Sequence, residues 1–281
     1  MKHPIRWGII ALVLIASSTA GLYLTHLQAP APASKVHTKI GTPTLFLHGY
    51  GSSTQAESYL VTRAINAGVT QNVITADVAD HGQVTLQGQL PAKSRHPIVK
   101  INLRDNRNTN YDQGGRYLTS VVRALQAHYQ FNQFNLVAHS MGTMAAVHYL
   151  LASSKQPRLP RVTKYISLAG IYNGVGQFVP ADPQLDAKTG KPHTMLATYR
   201  KLLPLRRKLP QPIKVLNIIG NLRHGSDGTV DNRSSLALKY LLQPRSQRYQ
   251  LLIFTGKGAG HSALHENPKV AQTINRFLWL K

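Results

Sequence analysis

The chain has no cysteine among its 281 residues. That excludes disulfides, a lipid-modified cysteine and any thiolate metal site. Acidic side chains are nearly as scarce, with 10 Asp and Glu against 33 Lys and Arg, a formal charge of +23. Such an excess attracts polyanions: nucleic acid, anionic lipid or an anionic cell wall. The cations are scattered, with no long basic run and no recognisable nucleic-acid module, so nucleic acid is not the expected partner. Charge is missing altogether from Trp7 to Leu24, just after Lys2 and Arg6. A positive start followed by an uncharged run is the pattern of a signal peptide or an N-terminal membrane anchor. The run is long for the apolar core of a signal peptide and just long enough to span a bilayer, which takes about 20 residues. Ala29, Ala31 and Ala33 offer small residues for cleavage, but Pro30 and Pro32 between them make poor cleavage sequence. Residues 1–27 are therefore expected to direct export, as a cleaved leader or as an anchor, with the positive end in the cytoplasm. Residues 28–40, rich in Pro, Ala and Ser, read as a linker.

What is present is a regular alternation of apolar segments. Strand-like runs are expected at 44–47, 73–76, 83–89, 98–103, 134–138, 164–168, 213–219 and 249–254. Helical spacing is expected over 111–129, 141–152, 234–242 and 268–278. Strands alternating with helices predict an α/β domain over 41–281 with a mainly parallel sheet. Residues 172–211 are rich in Pro, Gly, Lys and Arg, and interrupt that order. An insertion there is expected to cap the site, although it is not apolar enough to announce a lipid pocket. Its stretch "MLATYRKLLPLRRKL", 195–209, reads either as a basic amphipathic helix leaning on an anionic surface or as a solvated helix packed on the domain.

The segment "AHSMG", Ala138 to Gly142, joins an expected strand to an expected helix. A serine on such a turn is exposed as a nucleophile when small residues flank it, and Ala138 and Gly142 are those residues. The alternative is a plain N-cap serine, which would only accept a backbone hydrogen bond. The rest of the chain favours the nucleophile. "FLHGYGSS" follows the strand at 44–47, and the N–H groups of Tyr50 and Met141 could form a two-donor oxyanion hole. Downstream, "GNLRHGSDGTVDNRSS" carries Asp227 and Asp231, and "GKGAGHSALHENP" carries His261. Each stands just after an expected strand, in the chain order Ser…Asp…His.

The motifs "HGYGSS", "AHSMG", "SDGTV" and "GHSALHENP" resemble those of the α/β-hydrolase superfamily over roughly residues 41–281. Within it the chain resembles a group of cell-surface hydrolases of Gram-positive bacteria known only as a domain of unknown function. The leader, Asp105–Asn106 and "HSALHENP" carry that narrower likeness. The resemblance implies Ser140 as nucleophile, His261 as general base, Asp227 as its orienting acid, and backbone donors at Tyr50 and Met141. "SDG" resembles the acid loop of bacterial lipases and favours Asp227, leaving Asp231 to cap the next helix. The alanine at 138, where the family has glycine, is the one departure. The resemblance therefore leads to the expectation of an exported serine hydrolase acting on an ester, with no cofactor and no metal. A surface protein that uses the same fold only to bind anionic wall polymers is the rival.

Among other residues, His48 reads as a structural residue that holds the glycine loop by hydrogen bonds. His139 is expected to point away from the nucleophile. His224 and His265 lie near the triad in sequence but lack the spacing of a helical zinc site. Asp77 and Asp80 read as surface or turn residues.

Overall fold

A computed structural model describes residues 37–209 and 212–280. The expected leader at 1–27, and the linker as far as residue 36, lie outside the described residues. The end of that linker is structured: Thr38–Lys39 (β1) pairs in parallel with Tyr129–Gln130 (β6) as a small two-stranded sheet.

The main sheet has eight strands. In chain order they are Thr44–Leu47 (β2), Val73–Val78 (β3), Val84–Gln87 (β4), Ile98–Leu103 (β5), Gln133–His139 (β7), Arg161–Leu168 (β8), Ile213–Asn221 (β9) and Ser246–Thr255 (β10). Their spatial order is β10-β9-β8-β7-β2-β5-β3-β4. All neighbours run parallel except β3 and β4, whose antiparallel pairing closes one edge. This is the mainly parallel α/β-hydrolase sheet expected from the sequence. The central strands are continuous apolar runs because both faces are covered; β2 (TLFL) is buried at all four positions.

Helices Gln55–Asn66 (α1) and Pro268–Leu278 (α8) cover one face, where Leu60, Val61 and Ala64 share a core with Val270, Ala271 and Ile274. The other face carries Tyr111–Gln126 (α2) and Met141–Ser153 (α3). In α2 the spacing of Leu118, Val121, Val122 and Leu125 places all four in the core, and the side chain of Asn110 caps its N-terminus through Gln113 N–H at 3.2 Å. Each fully buried Leu or Val contributes roughly 1.5–3 kcal/mol. Helix α3 is buried from Met141 to Leu150, so it shows no amphipathic stripe.

Three helical segments differ from expectation. Helix α1 was not anticipated, because its short stripe of Leu60, Val61 and Ala64 is broken up by polar residues and a buried glutamate. The helix expected over 234–242 is two shorter ones, Asn232–Leu236 and Leu238–Leu242. In the 195–209 stretch only Ala197–Arg200 and Leu205–Lys208 are α-helical. Tyr199, Leu202, Leu205 and Leu209 from that stretch are buried in the core. Its apolar face is thus packed on the domain rather than turned towards an anionic surface.

Candidate active site

Ser140 sits between the end of β7 and the start of α3 with φ 51° and ψ −123°. A side-chain-bearing residue at positive φ is strained by roughly 1–3 kcal/mol. The surroundings hold it there: Ser140 N–H donates to Leu168 O at 2.9 Å, and its carbonyl accepts from Thr143 N–H at 2.9 Å. The turn packs tightly against the end of β2. A methyl group at Gly142 would lie 2.5 Å from His48 O, and one at Gly49 would lie 2.9 Å from the Ser140 Cβ. Both sites therefore require glycine. Ala138, the departure from the family pattern, is fully buried, so its methyl packs in the core.

The expected polar residues come together. His261 Nε2 lies 2.9 Å from Ser140 Oγ, and His261 Nδ1 lies 2.8 Å from Asp227 Oδ2. The second carboxylate oxygen, Oδ1, accepts from Thr229 N–H at 2.9 Å and Val230 N–H at 2.7 Å. The acid loop and the histidine loop are also tied by backbone, since His261 N–H donates to Asp227 O at 2.9 Å. Asp231 is elsewhere, capping Asn232–Leu236 through Arg233 N–H at 2.8 Å.

The His139 ring sits with two other imidazoles of this region. It packs 4.7 Å from the His261 ring and 5.0 Å from that of His265, with Nε2 3.1 Å from His261 O. Burial, then the nearby imidazoles, hold its pKa well below the ordinary value. It is thus a neutral prop beneath the His261 loop, a role the sequence did not signal. His224 stands in the exposed part of the 221–228 loop at φ 51°.

The glycine loop after β2 is held from two sides. Leu103 N–H donates to His48 Nε2 at 3.0 Å, which leaves Nδ1 to donate to Gly49 O at 2.9 Å. This is the structural role expected of His48. Asn106 grips the other side: its carbonyl accepts from Gly51 N–H at 2.8 Å, and its Nδ2 donates to Ser52 O at 2.8 Å. Tyr50 N–H donates to no acceptor among the described residues. Met141 begins α3, where a first-turn N–H has no helical partner. Asp77 corrects an expectation. It is 7% exposed and accepts from Asn102 Nδ2 at 2.7 Å and Arg104 Nε at 2.8 Å, so it is a covered residue paired with the exposed Arg104 rather than a free surface carboxylate. Its partners on β5 and just beyond could not be inferred from local sequence.

Ser140 and His261 line a cavity of about 850 Å³ together with Tyr50 and Met141. Most of its other walls are apolar, with Ile171 at the base of the insertion and Val175, Phe178, Val179 and Leu196 from within it. Residues of the insertion thus supply an apolar lining to this cavity. The insertion's composition hid this because the lining residues are few, irregularly spaced and set among Pro, Gly, Lys and Arg.

A family model described as "alpha/beta hydrolase of unknown function (DUF915)" matches residues 31–281. A solved gene product of Listeria innocua is 24% identical with a TM-score of 0.79, covering 85% of this chain and 94% of its own. A Lactobacillus plantarum protein, provisionally described as a cell surface hydrolase, is 22% identical with a TM-score of 0.68, covering 85% and 91%. A carboxylesterase of Bacillus subtilis is 12% identical with a TM-score of 0.50, covering 85% and 84%. At these identities the likeness is one of fold. No curated protein matches the chain.

Proposed function

The chain belongs to the alpha/beta hydrolases of unknown function, and on that premise we propose that it is an exported serine hydrolase that cleaves carboxylic esters through an acyl-enzyme. One observation carries the reading: Ser140 Oγ, His261 and Asp227 form an unbroken hydrogen-bonded chain, with Ser140 and His261 in the wall of an apolar cavity. Ser140 Oγ attacks the ester carbonyl while His261 Nε2 takes its proton. The N–H groups of Tyr50 and Met141 receive the negative charge on the carbonyl oxygen. His261 then gives the proton to the departing alcohol. Water, deprotonated in turn by His261, releases the acid from Ser140. Asp227 keeps the Nδ1 proton of His261 in place and stabilises the imidazolium that forms. No cofactor takes part in these steps.

Among the described residues, no Asp, Glu, Lys or Arg lines the cavity. Esters with uncharged, apolar acyl groups are therefore the expected substrates. Amides and thioesters could use the same groups, and the carboxylesterase among the fold neighbours supports the ester. A purely binding protein would gain nothing from the strained Ser140 turn, which argues against that rival. Export rests on the composition of residues 1–27, and the Lactobacillus protein described as a cell surface hydrolase is consistent with it. A series of p-nitrophenyl esters of graded chain length tests the activity. Turnover should rise from acetyl to longer acyl groups and vanish in Ser140→Ala; equal turnover in the folded variant contradicts the proposal.

A further inference from the structure

A second cavity, of about 460 Å³, opens between α8 and the β8–β9–β10 edge of the main sheet. Lys164, Lys214 and Arg248 are partners in the sheet register, Lys164 beside Lys214 and Lys214 beside Arg248. Adjacent strands lie about 4.8 Å apart, so three cations stand side by side on one face. Arg276 of α8 adds a fourth across the cleft. None of the ten Asp and Glu side chains of the chain lines this cavity, and none of the four cations makes an ion pair among the described residues.

Like charges directly opposite on neighbouring strands destabilise a sheet. Part of the cluster has an internal explanation. Lys164 Nζ donates to Leu278 O, and Arg276 lies in the last turn of α8, where cations suit the negative end of the helix. Lys214 and Arg248 have no such partner among the described residues. Burial, then the neighbouring Lys214, depress the pKa of the Lys164 ammonium. Beside the cations the lining holds Gln250 and Thr273 and the apolar side chains of Leu252 (38% exposed), Leu280 (45% exposed) and Phe277. Those apolar side chains give the carbon skeleton of a phosphate ester a surface that a bare ion would leave unused. The row lies level with Asn135, at the start of β7, and so at the opposite end of the strands from Ser140.

We propose that Lys164, Lys214, Arg248 and Arg276 form a binding site for a phosphate ester, separate from the Ser140 cavity. Several cations converging on one point bind phosphate oxygens by charge-assisted hydrogen bonds. The ester could come from a soluble metabolite or from a lipid headgroup.

The test uses the full chain as wild type and as the Lys214→Gln/Arg248→Gln double variant. Both side chains are exposed, so the variant should fold. Thermal unfolding and calorimetric titration are followed with sn-glycerol 3-phosphate, inorganic phosphate, and sodium chloride at matched ionic strength. Wild type should bind glycerol phosphate at least tenfold more tightly than the variant does, and inorganic phosphate more weakly than the ester. Without ligand the variant should melt higher, because the like-charge row is relieved, and ester hydrolysis should be unchanged. Vesicles of phosphatidylglycerol and of phosphatidylcholine separate the two sources, since both proteins carry the same N-terminal segment. Stronger retention of wild type than variant on the anionic vesicles assigns the site to lipid headgroups. Equal retention, with the difference in glycerol phosphate binding kept, assigns it to a soluble ester. Equal affinity of the two proteins for glycerol phosphate, or chloride matching its effect, overturns the proposal.

Discussion

Ser140 is held in a backbone conformation that glycine adopts freely and serine does not, φ 51° and ψ −123°. A residue kept under strain gives a test that separates function from stability. Ser140→Ala and Ser140→Gly should both lose about 10⁴-fold or more in ester turnover. Ser140→Gly should also raise the unfolding free energy above that of Ser140→Ala, by up to about 1–3 kcal/mol, as the strain is released; denaturant unfolding of the two variants checks this. The two aspartates should separate as cleanly. Asp227→Asn should cripple turnover, because its carboxylate holds the His261 Nδ1 proton, whereas Asp231→Asn should cost only a helix cap, about 1 kcal/mol or less. Steady-state kinetics on both variants decides, and a larger turnover loss in Asp231→Asn would mean that the wrong carboxylate carries the role. Ser140, Asp227 and His261 were legible in the sequence because each follows a strand and its motif is local. Asn106 and His139 were not, since their partners Ser52 and the His261 carbonyl are 54 and 122 residues away. Only the fold brings such pairs together.

Between elements, the junction of β2 with α3 depends on glycine. Gly142→Ala would put a methyl 2.5 Å from His48 O, so it should destabilise the protein by about 1–3 kcal/mol and displace the Tyr50 loop, with turnover falling alongside stability. Helix α1 carries a different burden. Glu57 is 1% exposed, its carboxyl oxygens have no partner among the described residues, and burial pushes its pKa up to about 8. The folded value lies above the unfolded value of 4.5, so the stability linked to this group is fully present below about pH 4.5 and is lost as pH rises towards 8. The slope is at most about 1.4 kcal/mol per pH unit. Glu57→Gln should remove it, so the variant should gain on wild type steadily from pH 5 to pH 8 in thermal unfolding. A constant difference across that range would mean that Glu57 stays ionised. The positions of the main-sheet strands along the chain and the apolar face of α2 could be read from apolar periodicity. Helix α1 and the insertion's lining could not, because their apolar residues are too few to make a pattern against polar neighbours.

At the scale of the whole molecule, the charge of +23 and the uncharged run from Trp7 to Leu24 lead to a prediction about place. Attraction to an anionic wall weakens as the Debye length falls from about 10 Å at 0.1 M salt to about 3 Å at 1 M. A high-salt wash should release a chain lacking residues 1–27 and leave the full-length chain with the membrane. Complete release of full-length protein by salt would count against an anchor. The role of Ser140 as nucleophile, on which the proposed hydrolysis rests, can be probed by treating the full chain with a fluorophosphonate and measuring its intact mass, then locating the adduct by peptide sequencing. The expected result is a single adduct on Ser140, absent from Ser140→Ala and strongly slowed in His261→Ala. An unmodified wild-type chain, or an adduct of equal yield in Ser140→Ala, would contradict it.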